Sequence, residues 1–131
     1  ASCLVGSEMC IRDSFNRYVI DEDYGGLAFE SEGKRCAHLL SDPKVKVLIM
    51  GNHGILVIGN SVADAFDRMY YFERACKTYI LALQTGKPLR IISDTIAEKA
   101  ARQLDNFSGD DSSHFKEIKL ILDKEGSDYA V

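Results

Sequence analysis

The chain has 131 residues, of which 46% are apolar and 27% charged, the composition of one modest globular domain. Its net charge of −4, with 16 scattered Lys and Arg, argues against a phosphate-binding surface for RNA or DNA. Its longest apolar runs, 45–50 and 55–58, fall well short of the roughly 20 residues that cross a bilayer, so no membrane partner is expected.

Residues 1–14 (ASCLVGSEMCIRDS) lack the basic and continuous apolar regions of a secretory leader. The run from Leu4 to Asp13 resembles one reading frame of a transposon adapter used in sequencing libraries, so a non-native tail is expected there. The four cysteines, Cys3, Cys10, Cys36 and Cys76, form neither a CxxC pair nor a dense framework. That spacing indicates neither a zinc knuckle nor a disulfide scaffold, and it fits a reducing cytoplasm.

Residues 18–29 (YVIDEDYGGLAF) mix β-prone pieces with an acidic run and Gly25-Gly26, and read as a loop or strand-turn. A helix is expected over 31–40, with Ser31 as N-cap and Asp42-Pro43 as its stop. Two β-branched runs follow, 45–50 (VKVLIM) and 55–58 (ILVI), separated by Gly51-Asn52-His53-Gly54. Strands this close in sequence can pair only as an antiparallel hairpin, so the sheet is not purely parallel.

Ser61 with Asp64 three residues later predicts a capped helix from Val62. Its expected inner face runs Val62, Ala65, Phe66, Met69, Phe72, Cys76, Tyr79, Ile80 and Leu83, before Gly86 and Pro88 end it. The Tyr70-Tyr71-Phe72 run reads as core or subunit contact rather than a stacking platform. Residues 89–92 predict one more short strand, and Thr95 with Glu98 a second capping box for a helix to Leu104. A polar linker over 106–113 and a last helix over 114–122, ending near Gly126, complete the chain.

An α/β layered domain of this kind does not by itself specify a function. His53 is the residue best placed for chemistry, because a hairpin tip fixes the backbone and leaves the imidazole free for a metal or a proton. Taken alone, the pattern fits a polar turn residue beside Asn52 and Gly54 better. His38 and His114 lie in predicted helices without an i, i+4 carboxylate or histidine, and read as surface or packing positions.

The stretch 45–83, with Asn52-His53-Gly54, then Gly59, then Glu73-Arg74-Ala75 in the long helix, resembles the class II aldolase/adducin domain. The likeness extends more loosely back through Asp23-Tyr24-Gly25-Gly26 and on to the C-terminus. It implies a three-layer α/β/α fold with a mainly antiparallel central sheet, of which 15–131 would be the C-terminal part. It also implies that His53 ligates a divalent metal, usually zinc, together with a His-x-His pair that this sequence lacks. The activity implied is that of a lyase cleaving or forming C–C bonds in a small hydroxy-carbonyl or sugar-phosphate substrate, with the metal as Lewis acid; related epimerase, dehydratase or decarboxylase chemistry is equally open. A homo-oligomer, often a tetramer, is implied as well.

The alternative is an adducin-like, non-catalytic module associated with actin and the cytoskeleton. With one imidazole in place of a ligand set, the chain by itself is expected to bind no stoichiometric zinc and to be inactive. A partial sheet is also expected to leave an open edge and exposed apolar surface.

Overall fold

The structure is a computed structural model that describes residues 15–25, 30–106 and 113–129. The expected tail at 1–14 and most of the linker at 106–113 lie outside the described residues. In chain order the elements are β1 (Tyr18–Asp21), α1 (Glu30–Leu39), β2 (Val47–Met50), β3 (Gly54–Val57), α2 (Val62–Gln84), α3 (Asp94–Asp105) and α4 (Ser113–Lys124).

The 47–50 and 54–57 runs pair antiparallel as expected, with Leu48 opposite Leu56 and Met50 opposite Gly54. Residues 18–21, read from sequence as loop or strand-turn, form a regular strand. β1 lies parallel to β2, with Tyr18 beside Val47 and Asp21 beside Met50, so the sheet is mixed in the order β1-β2-β3. The connection through α1 supplies the length that a parallel crossover requires. The buried apolar residues come from the sheet and two helices: Val45, Val47, Leu48, Ala63, Phe72, Ala75, Ala97 and Ala101. Leu48, on the central strand, is 0% exposed.

α2 begins at Val62 as predicted, and the Ser61 hydroxyl accepts the Asp64 N–H at 3.1 Å. Its buried stripe differs from the predicted one, consisting of Ala63, Asp64, Phe72 and Ala75, while Val62, Met69, Tyr79, Ile80 and Leu83 are exposed. The sequence period locates an apolar face, but the neighbours decide which part is covered: among the described residues, only β3 and α4 pack substantially on α2. The expected exposed apolar surface is therefore present, and Tyr18 and Ile20 on the outer strand β1 add to it.

Three further expectations are corrected. α1 starts at Glu30, so Ser31 lies inside the first turn rather than capping it. Residues 89–92 form no strand; Ile91 is 88% exposed, and the segment finds no partner strand among the described residues. α3 starts at Asp94 after Ser93, and Glu98 is engaged by arginines instead of a capping box. Arg17, only 3% exposed, donates from Nη1 to Glu98 at 3.1 Å and from Nη2 to Asp105 at 2.6 Å, tying α3 to the start of β1. Arg102 first, and Arg17 with it, hold the Glu98 carboxyl below the usual carboxylate range.

Candidate functional site

Parallel pairing brings the C-terminal ends of β1 and β2 to the same edge of the sheet, where loops have room to present side chains. The two ends are joined directly, as the Gly51 N–H donates to the Asp21 carbonyl at 2.9 Å. The next residues form the tight turn of the hairpin, closed by the His53 N–H to the Met50 carbonyl at 3.1 Å. Asn52 takes a φ of 54°, in the left-handed region that asparagine tolerates better than most residues.

His53 stands exposed on this turn. Among the described residues neither of its ring nitrogens makes a hydrogen bond, and its side-chain contact is with the Tyr24 ring, centroids 4.8 Å apart and planes tilted by 39°. A lone pair for a cation or a proton is thus available at the strand end.

Tyr24 comes from the turn that follows β1, and this turn is firmly held. Asp21 is 3% exposed and accepts the Asp23 N–H at 3.2 Å. Arg35, one face of α1, grips the same carboxylate with Nε and Nη2, each at 3.0 Å from Oδ2, and reaches the Asp23 carbonyl at 3.2 Å. Glu32 completes the cluster by pairing with the other side of Arg35. Bidentate charge-assisted bonds of this kind fix orientation as well as distance. Arg35 therefore anchors the backbone that carries Tyr24.

On the far side of the hairpin, Gly59 admits α2. A Cβ built there would lie 2.5 Å from the Ala65 nitrogen and 3.0 Å from its Cα, closer than real contacts allow. The glycine that follows the second strand in the motif is thus explained by close approach of the helix backbone. Asp64, buried, accepts the Asn60 N–H at 2.8 Å and the Arg68 Nε–H at 2.6 Å. A capping box would send the carboxylate to the Ser61 N–H; here it reaches one residue further back.

Burial pushes the Asp64 carboxyl up, but the Asn60 N–H and Arg68 outweigh it and hold the group below its ordinary value of 3.8. Its folded pKa is therefore depressed. Its contribution to stability is complete above the unfolded value and is lost as pH falls through the folded one. Asp64→Asn is expected to flatten the loss of stability below about pH 4 in acid titrations followed by circular dichroism. Parallel curves for the two proteins would contradict this role.

The other histidines are placed as the sequence indicates. His38 is exposed in the last turn of α1. His114 packs against Phe66 and Tyr70 and pairs through Nδ1 with Asp67 at 2.6 Å, joining α4 to α2. Among the described residues, no group of three His, Cys, Asp or Glu is arranged to hold a metal ion. His53 offers a suitable donor, whereas the full set is not present in these residues.

Sequence reasoning missed Tyr24 and Arg35. The acidic Asp21-Glu22-Asp23 turn and a basic residue on the following helix were the available signals, but pairing at a separation of 14 residues carries no local signature. Within the Glu73-Arg74-Ala75 motif, Ala75 is buried, while Glu73 and Arg74 face outward and Arg74 donates to the Tyr70 hydroxyl at 3.1 Å.

Comparison with known proteins gives the arrangement a family. The profile described as the class II aldolase and adducin N-terminal domain matches residues 5–80. A protein of Caulobacter vibrioides, provisionally named a class 2 aldolase protein, is 29% identical over 82 residues, covering 62% of this chain and 31% of its own length. Alpha-adducin of Rattus norvegicus is 36% identical over 64 residues, covering 49% of this chain and 9% of its own length. A solved aldolase II superfamily protein from Pseudomonas syringae superimposes with a TM-score of 0.78 at 26% identity, covering 92% of this chain and 49% of that one. The chain therefore spans about half the length of this solved structure and a third or less of these two relatives, and it has part of the α/β aldolase II fold. With its profile match over more than half of the sequence, the chain belongs to the class II aldolase and adducin family.

Proposed function

We propose that the whole protein is a metal-dependent lyase of aldolase type, acting on a small hydroxy-carbonyl or sugar-phosphate compound, with His53 as one ligand of a divalent cation, zinc in the first instance. The observation that carries this reading is an exposed imidazole, held on a closed turn at the ends of two paired strands, whose ring nitrogens make no hydrogen bond among the described residues. A scaffold has no physical need for that imidazole. The described residues do not complete a metal site, so on this reading the other donors lie outside them. When bound, the cation supplies Lewis acidity to the oxygens of the substrate. The part played by these residues is to hold one donor in place: the β2–β3 hairpin sets its position, and the joined turns limit its movement.

The test is metal content per subunit in the complete protein and in its His53→Ala variant. Stoichiometric zinc is expected in the first and a large loss in the second, because two imidazoles hold zinc far more weakly than three. Unchanged content in the variant would remove His53 from the ligand set. The 131-residue chain on its own is expected to bind no stoichiometric zinc and to show no lyase activity.

The second reading is an adducin-like module without catalysis, favoured by the similarity to alpha-adducin over about half of the chain. A complete protein without stoichiometric metal would decide for it. A cytoplasmic homo-oligomer that binds neither nucleic acid nor membrane accords with both readings. Among the described residues, no helix is long and apolar enough to cross a membrane.

A further inference from the structure

We infer that Tyr24 is a positioning residue for His53, holding the imidazole in one rotamer at the end of β2. The inference rests on the reading of His53 as a ligand.

Histidines that work as ligands are usually oriented through a hydrogen bond at the second ring nitrogen, from a carboxylate, a carbonyl or a water. Among the described residues His53 has no such bond. An exposed side chain on a hairpin tip, free of any restraint, would spread over the staggered wells of χ1. Here the imidazole and the Tyr24 ring lie with centroids 4.8 Å apart and planes tilted by 39°, within the range of favourable aromatic contact. Such a contact excludes the rotamers that would swing the imidazole through the space the phenol ring occupies. It leaves both nitrogens open.

The contact is useful only if Tyr24 is itself fixed, and the fold provides for this. The buried Asp21 carboxylate, gripped by Arg35, accepts the Asp23 N–H, and Arg35 also binds the Asp23 carbonyl, one residue before Tyr24. The Gly51 N–H to Asp21 carbonyl bond locks the two turns to each other. A chain of restraint thus runs from α1 through Arg35 and Asp21 to Tyr24, and by ring contact to His53. The contact is made by the ring; among the described residues the Tyr24 hydroxyl makes no hydrogen bond.

The test uses the 131-residue chain and two readouts. In ¹H–¹³C spectra of the imidazole groups, His53 ring protons are expected upfield of those of exposed His38. Tyr24→Leu is expected to remove this ring-current shift and Tyr24→Phe to keep it. His114, packed on Phe66 and Tyr70, reports in the same spectra that each variant is folded. Copper(II) iminodiacetate, which binds single accessible imidazoles, then probes presentation through paramagnetic broadening at each histidine. Its affinity for His53 is expected to fall about threefold in Tyr24→Leu, the ratio of three χ1 wells to one. It should stay unchanged in Tyr24→Phe and at His38.

A His53 shift identical in the native chain and Tyr24→Leu overturns the inference, and so does a lost shift with unaltered copper affinity. Failure of the ligand reading looks different: the metal content of the complete protein would ignore His53→Ala while the ring-current result in this chain stood.

Discussion

Replacing Gly59 with alanine is expected to lower the stability of the chain by about 3 kcal/mol, at the upper end of overpacking costs. The added Cβ meets Ala65 N at 2.5 Å, Ala65 Cα at 3.0 Å and Asp64 C at 3.1 Å, all of them backbone atoms in the first turn of α2. Flexible side chains can rotate away from an intruding methyl group; a helix backbone cannot. Relief requires α2 to shift away from the end of β3, which breaks the bond from the Asn60 N–H to the Asp64 carboxylate. The measurement is a urea titration of the native and variant chains by circular dichroism, where the midpoint should drop at similar slope. A midpoint within error of the native one would show that the approach of α2 to Gly59 is not tight.

Leu48→Ala is the second large effect, expected to cost about 2–5 kcal/mol from lost transfer energy and an unfilled cavity. Leu48 is completely enclosed on the central strand, with Val19 beside it on β1 and Leu56 opposite on β3. Ile20→Ala provides the contrast: that side chain is 49% exposed on an outer strand, and its truncation should cost well under half as much. Equal losses for the two variants would mean that the sheet has no distinct interior. Beyond stability, Leu48→Ala should loosen the hairpin that presents His53. Hydrogen exchange at the His53 amide, bonded to the Met50 carbonyl, would report it.

These residues also mark how far the sequence could be read. The hairpin, the Ser61 cap and the Asn52-His53-Gly54 turn were legible because each depends on residues within a few positions. β1 was not legible as a strand, since Tyr18–Asp21 is short, ends in an acidic run, and gains regular form only by pairing with a strand beyond α1. The buried stripe of α2 differs from its periodic face for a related reason: periodicity describes a helix surface, whereas burial depends on what lies against it. In the candidate site, His53 could be named from its motif. Its partner Tyr24 could not, because their meeting follows from parallel pairing of β1 with β2 and from a guanidinium on α1.

The Arg17 pairs carry a consequence for the order in which the molecule comes apart. Ala97 and Ala101 are the buried residues of α3, and among the described residues Glu98 and Asp105 moor it to one guanidinium. Apolar contacts elsewhere in the fold are nearly indifferent to salt and acid, whereas partly exposed carboxylates are screened by the first and neutralised by the second. The hold of α3 on the sheet is therefore expected to weaken with added salt and with acid, while Leu48 at the centre of the sheet stays held by side-chain packing.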